Sequence, residues 1–382
     1  MKKAFERLIS FHLVEKRDEE IDELGNFLWR WTYPTIENSV RNFIERRLYT
    51  KLMHSDHLAS NDCDHSQDYF DFYRLRSKWI YVRGESNNKR HVLILLANDF
   101  CPQTYRQLLD TFIKMFVQNT PLKIVLHYYL TLMIEGKIVV KELADLQFSL
   151  SGLECDNGPL SISSNSNSLK KIIKLFHLDV ILIYTALLLK RKIVVYHHSQ
   201  SKLLEFMSAL PFFVSHRIEC PDDTFYPNLD LHCPEQIEHI KGQAHYIATF
   251  YDSKVEEHED LYDMYVNLAA VEITISHKSR EVFSMTKTHK EIAMALVRVA
   301  ENESSNDENV INEIIKKTSE LRNSLFQIAR KNLNDFENES IEINMPQRIS
   351  RKTLKQSILS PNLEMFFWNF AIAEGMADVD DH

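Results

Sequence analysis

The sequence predicts an α/β (α+β) chain built in two parts: a small α+β layer first, then a layer of strands sandwiched between helices. Three observations carry that expectation. In the first 120 residues, apolar runs at period two alternate with apolar spacing at period 3.6. Residues 179–213, DVILIYTALLLKRKIVVYHHSQSKLLEFMSALPFF, read in succession as a buried helix, a charged turn, a β-branched strand and an amphipathic helix. Between these parts, residues 152–168 are rich in Ser, Asn and Gly and low in complexity, the composition of a linker.

Taken in order, residues 5–16 read as a strand, 18–23 as an acidic turn and 27–33 as a second strand. In FLWRWTY, Phe27, Trp29, Trp31 and Tyr33 recur at period two, which predicts one shared face with Arg30 and Thr32 opposite. Four aromatics so placed read as the core face of a half-buried sheet rather than as a ligand platform. Pro34 closes the strand, and 36–49 reads as a helix. Residues 54–71 are polar and rich in turn formers, so a loop is expected there. Its His54, Asp56, His57, Asp62, Cys63, Asp64 and His65 lack the regular Cys and His spacing of a metal site. Two more strands are predicted at 73–82 and 91–97, followed by a helix at 103–117. A further helix at 122–134, with Leu126, Tyr129, Leu130 and Met133 at helical spacing, leads out of the layer.

In the second part, residues 180–189 are apolar on nearly every face, with only Tyr184 and Thr185 carrying side-chain polar atoms. Ten residues are too few to span a bilayer, so this helix is expected inside a larger core. Lys190, Arg191 and Lys192 stand where cations offset the negative end of a helix dipole. Residues 193–196 then form a strand buried on both faces. Ser201 is expected to cap the next helix, with Glu205 in its first turns and Leu203, Leu204, Phe206, Met207 and Leu210 as its apolar face, ended by Pro211. Downstream, 246–250 and 273–275 read as strands, with 261–268 as another element between them. Helical spacing follows from Thr288 and resumes after the polar break ENESSNDEN. The basic segment 348–355 reads as a solvated face, with an anionic membrane or an acidic partner as the alternative. A last apolar helix runs through Met365, Phe366, Trp368 and Phe370. His216, His232, Cys233, His239 and His245 show no ligand spacing.

Composition narrows the function. The 382 residues carry 44% apolar and 26% charged residues, a globular composition with room for a sizeable core. A net charge of −9 argues against a dedicated nucleic-acid binder. The N-terminus, MKKAFERLISFHLVEKR, is interrupted by charge every few residues, and no run reaches membrane-spanning length. Five scattered cysteines fit reduced thiols in a cytosolic chain. The seven glycines, roughly a quarter of average usage, sit at 25, 84, 136, 152, 158, 242 and 375. None of these spacings matches G-x-G-x-x-G, G-x-x-x-x-G-K or G-x-S-x-G, which need glycine where backbone approaches phosphate or turns under a nucleophile. No catalytic residue, cofactor or metal is therefore expected.

The 179–213 stretch resembles the core module of the DENN-domain family, in which an apolar helix ends in charged residues before a Val/Ile strand, and a serine-containing turn, a helix and a Pro-Phe pair follow. Here those features are Ser199, Ser201 and Pro211-Phe212. WRWTYP (29–34), the strand and turn before Phe100, LYDMYVNLAAVEITI (261–275) and THKEI (288–292) are similar to segments of a small family member, in the same order and over nearly the whole chain. The chain departs from the family pattern at Lys190, usually acidic, and at His197-His198, usually a serine pair; it also lacks a downstream Pro-x-Leu-Pro and a glycine within 246–250. These departures bear on activity more than on fold.

The resemblance implies a two-lobed DENN module: a longin-like N-terminal lobe (1–150), a linker (151–168), a doubly wound central α/β lobe (169–300) and extra C-terminal helices (301–382). It implies a guanine-nucleotide exchange factor for a Rab-family small GTPase, cytoplasmic and recruited to late endosomes by peripheral membrane association only. The alternative is a non-catalytic subunit or adaptor of an endosomal recycling assembly such as the Commander complex, partnered by coiled-coil subunits. The GTPase is expected in a groove between lobes, against two turns that follow strands: Asn98, Asp99, Phe100 and Pro102 in the first, His197, His198, Ser199 and Ser201 in the second.

Overall fold

The computed structural model describes residues 4–16, 27–57, 69–84, 91–143, 146–150, 168–217, 224–334 and 348–378. The chain divides into two units, Met1–Ser161 with Pro221–Asp223, and Ile162–Cys220 with Thr224–His382. The linker expected at 151–168 lies outside the described residues except for Ser168, which begins a helix. The acidic turn expected at 18–23 lies outside them entirely.

In the first unit, a short helix α1 (Ala4–Arg7) precedes β1 (Leu8–Lys16), so the expected strand starts later than its apolar pattern. The unit continues with β2 (Phe27–Tyr33), α2 (Asn38–His57), β3 (Tyr69–Leu75), β4 (Lys78–Gly84), β5 (His91–Ala97), α3 (Pro102–Val117) and α4 (Leu122–Glu135). A hairpin of β6 (Lys137–Val140) and β7 (Leu146–Ser149) closes it. The described strands β2-β1-β5-β4-β3 form one antiparallel sheet. One face, with Val14, Ile80, Val82, Val92 and Ile94, packs under Val40, Ile44 and Leu48 of α2. On the other, Phe11 meets Phe112 of α3 at 5.3 Å and Tyr129 of α4 at 5.1 Å. Helix α4 thus belongs to this core rather than leading out of it.

Two expectations are corrected by backbone geometry. The aromatic run of β2 does not share one face: the register with β1 shifts between Leu13 and Val14, which pair with Trp31 and Trp29. Leu13 and Val14 point to opposite faces, so the bulge at Arg30 turns the aromatic stripe over. Phe27 and Trp29 join the α2 face, where Trp29 donates to Glu45 of α2 at 2.6 Å. Trp31 instead packs on Phe11 at 5.4 Å. The second correction is the strand expected at 73–82, which is a hairpin. Leu75 pairs with Lys78, and Arg76 takes the turn with φ 56°. Helix α2 also runs past its expected end through His57, and β3 begins at Tyr69, which shortens the loop expected at 54–71.

The second unit holds α5 (Ser168–Phe176), α6 (Val180–Leu188), β8 (Ile193–Tyr196), α7 (Gln200–Ala209), β9 (Phe225–Leu229), α8 (Pro234–Lys241), β10 (Ile247–Phe250), β11 (Met264–Asn267) and β12 (Glu272–Ile275). Four more helices follow: α9 (Lys287–Glu301), α10 (Asp307–Asn334), α11 (Arg351–Ser357) and α12 (Pro361–Ala373). The sheet runs β12-β11-β8-β10-β9, with β11, β8, β10 and β9 parallel and β12 antiparallel at one edge. Val194, Tyr226, Ala248, Phe250 and Tyr265 pack with Ile240 of α8. Ile193, Val195, Thr249, Met264 and Val266 on the opposite face are equally buried, as a strand covered on both sides requires.

Helix α6 is the buried centre that its composition predicts: Val180, Ile181 and all residues 183–189 are buried, and the Tyr184 hydroxyl meets Thr318 of α10 at 2.9 Å. Asp307, the first residue of α10, accepts from the backbone of Leu169 and Lys170 at 3.1 and 2.9 Å and so satisfies the start of α5. The buried Lys170 ammonium donates to the carbonyls of Asn302 and Ser305, both at 2.7 Å. No helix among the described residues is long and apolar enough to cross a membrane.

Candidate functional site

The eight candidate residues fall on one turn in each unit. The first turn leaves β5 and enters α3. Asn98 is tied back to the α1 segment, its backbone donating to Arg7 at 2.8 Å and its amide to Glu6 at 2.7 Å. Asp99 accepts from Arg7 Nε at 2.7 Å and from the Tyr105 hydroxyl, while its carbonyl accepts from Tyr81 at 3.0 Å. Arg7 also donates to the carbonyl of Leu150 at 3.0 Å. Burial, then the Asp99 charge, holds the Tyr105 hydroxyl well above its usual range. Phe100 packs on Trp79 at 4.4 Å and Phe72 at 5.7 Å, and Pro102 is buried in the first turn of α3. Asp99, Phe100 and Pro102 are thereby committed to holding the turn, and Asn98 is the most exposed of the four.

The second turn leaves β8, the strand at which the sheet order reverses: β10 lies on one side of it and β11 on the other. A parallel sheet presents its ligand loops outside the carboxyl ends of its strands, at such a switch point. His197 accepts the Ser199 backbone N–H at Nδ1 over 2.7 Å, and its ring stacks on His198 at 4.2 Å. Burial, then the His198 and Lys202 charges, lowers its affinity for a proton. Ser199, rather than the expected Ser201, occupies the cap position of α7; its hydroxyl is shared with Ser201 at 2.9 Å instead of bonding the helix backbone. Glu205 faces away, paired with Lys171 of α5 at 2.9 Å. His198 and Ser201 are exposed, and His197 and Ser199 are half-buried.

The other clusters weighed from the sequence resolve into local roles. His54, Asp56 and His57 end α2, while 62–65 lie outside the described residues. Cys233 stands at the cap position of α8, and His239 meets the Tyr226 ring edge-on. His216 meets Glu374 at 3.2 Å. Sequence reasoning missed the partner of the buried helix. Arg217 donates to the carbonyls of Leu187 and Leu188 at 3.1 and 2.5 Å, completing the end of α6, and is held in turn by Glu374 at 2.6 Å. A separation of 157 residues leaves no local signal for that pair. A cleft of about 310 Å³ opens between α9, α10 and the α11–α12 segment, floored by Ile292, Leu321, Ile358, Leu363 and Phe367.

Comparison with known proteins covers nearly the whole chain. The family profile described as "Stabilization of polarity axis" (SPA) matches residues 166–277, from the start of α5 through β12. The DENN domain-containing protein 10 of Danio rerio is 30% identical over an alignment of 393 positions, spanning 98% of this chain and 99% of its own. The protein of the same name from Mus musculus is 29% identical over 97% of both chains. That from Dictyostelium discoideum is 26% identical over 94% of this chain and 96% of its own.

Proposed function

The chain belongs to the DENN-domain family, and from that premise we propose that it is a guanine-nucleotide exchange factor for a Rab-family GTPase, cytoplasmic and recruited to late endosomal membranes. The observation that carries the reading is the turn His197–Ser201, placed at the carboxyl end of the switch strand β8 with His198 exposed. An exchange factor needs no nucleophile, base or metal of its own. It holds the nucleotide-free GTPase, and its surface must offset a nucleotide affinity of about nM to pM, roughly 12–16 kcal/mol. It does so by keeping the switch segments away from magnesium and phosphate. Exposed side chains that present hydrogen-bonding groups, His198 and Ser201 in one turn and Asn98 in the other, suit that task.

The test is release of a fluorescent GDP analogue from a panel of Rab proteins, with and without the full chain. Acceleration of one Rab is expected, with at least a tenfold loss in His198→Ala plus Ser201→Ala, or in Asn98→Ala, each melting like wild type. Asp99 is unsuited as a probe, because its loss leaves Arg7 buried without its carboxylate. No acceleration across the panel, with stable co-purification of coiled-coil endosomal proteins, would replace exchange with the scaffold role.

A further inference from the structure

The basic segment and the turn after it are not used by the exchange reading. Ile349 is tied to the chain's far end through Met376 and Asp378 at 2.7 and 2.9 Å, and Thr353 and Leu354 are buried, so α11 is fixed by its inner side. Lys352 and Lys355, three apart, share its outward face and are exposed. Arg348 and Arg351 are committed to Asp378 and Glu364 at 3.9 and 3.3 Å. Neither lysine has a carboxylate partner among the described residues. Two positions beyond the helix, in the turn into α12, Leu359 is 100% exposed, between the cleft-lining Ile358 and the exposed Ser360 and Pro361. The carboxylates of that cleft, Glu291 and Glu320, belong to α9 and α10, and Glu320 is paired with Lys317 at 2.8 Å.

We propose that the α11–α12 corner is a docking surface for an anionic lipid bilayer, with Lys352 and Lys355 at the headgroups and Leu359 inserted among the acyl chains. A leucine held wholly in water at this corner gains by entering hydrocarbon. Unpaired ammonium groups beside it gain at a negative surface. An acidic protein would engage the lysines but gives the leucine no comparable destination. Two lysines and one leucine make a reversible contact, suited to reinforcing a membrane-bound partner.

The full chain is tested by sedimentation with phosphatidylcholine vesicles, with and without phosphatidylserine, at low and high salt. Binding is expected only to the anionic vesicles and is expected to fall with salt. Each of Lys352→Gln and Lys355→Gln should weaken it about fivefold, and Leu359→Ser about tenfold. Equal melting of the variants establishes that they fold. No Rab enters the assay, so the result is independent of the exchange reading. Absence of vesicle binding, or binding untouched by all three substitutions, overturns the proposal. So does a surface that binds soluble polyglutamate as tightly as vesicles with no dependence on Leu359, which would assign it to an acidic protein.

Discussion

Glu374 closes the end of α12 with a side chain only 8% exposed, 2.6 Å from Arg217 and 3.2 Å from His216. Burial alone would raise its pKa. The hydrogen bond from His216 and the charge of Arg217 outweigh burial and bring the carboxyl down to about 2 from 4.5. A depressed folded-state pKa contributes stability that is present above the unfolded value and is lost as pH falls toward 2. Glu374→Gln is therefore expected to cost about 3 kcal/mol near neutrality, since it leaves Arg217 buried without its partner. It should also flatten the acid limb between about pH 5 and 2. Denaturant titrations at a series of pH values check this; an unchanged acid limb in the mutant would mean the pair carries no linkage. At this scale the sequence shows which residue types gather but not which are already engaged. Asp99 was legible as a turn residue, yet Arg7, 92 positions away, and Tyr105 use its carboxylate. Ser199 and Ser201 were both visible, but which one caps α7 depends on where β8 releases the chain.

Whole elements were legible where composition admits one solution. Helix α6 is apolar all round and can only be buried; β8 is four β-branched or aromatic residues that need cover on both faces. The missed features are those in which backbone geometry breaks a side-chain pattern without glycine or proline to mark it. Arg76 adopts a left-handed conformation in the β3–β4 turn, and the bulge at Arg30 inverts the aromatic stripe of β2. Leu188, the last residue of α6, is fully buried beneath the carbonyl clamp of Arg217. Leu188→Asp puts an uncompensated carboxylate there, at a cost of several kcal/mol, so loss of cooperative melting or of solubility is expected. Calorimetry decides it, and a variant that melts like wild type would mean that α6 is not the centre of its unit.

Across the molecule, the scarcity of glycine and the architecture address the same question. A parallel α/β sheet with an open switch point is the setting in which other chains bind nucleotides, so the fold by itself permits a phosphate site. The turn after the switch strand argues against one. Where glycines take positive φ among the described residues, Gly136 and Gly375, they follow the ends of α4 and α12 rather than a strand. The turn after β8 has none, and part of it is already engaged: the Ser199 N–H is held by His197, and the two histidine rings stack on each other. A pyrophosphate needs room for the backbone to approach it closely, and a turn of five residues that all carry side chains, 197–201, leaves less of that room than a glycine turn does. The purified chain is therefore expected to give no saturable heat with GTP or NAD at micromolar concentration in titration calorimetry. Any guanine nucleotide it influences would then be one held by another protein. Saturable binding would place a phosphate site on this chain, and catalysis on a nucleotide of its own would displace GTPase regulation as the reading of the switch-point turn.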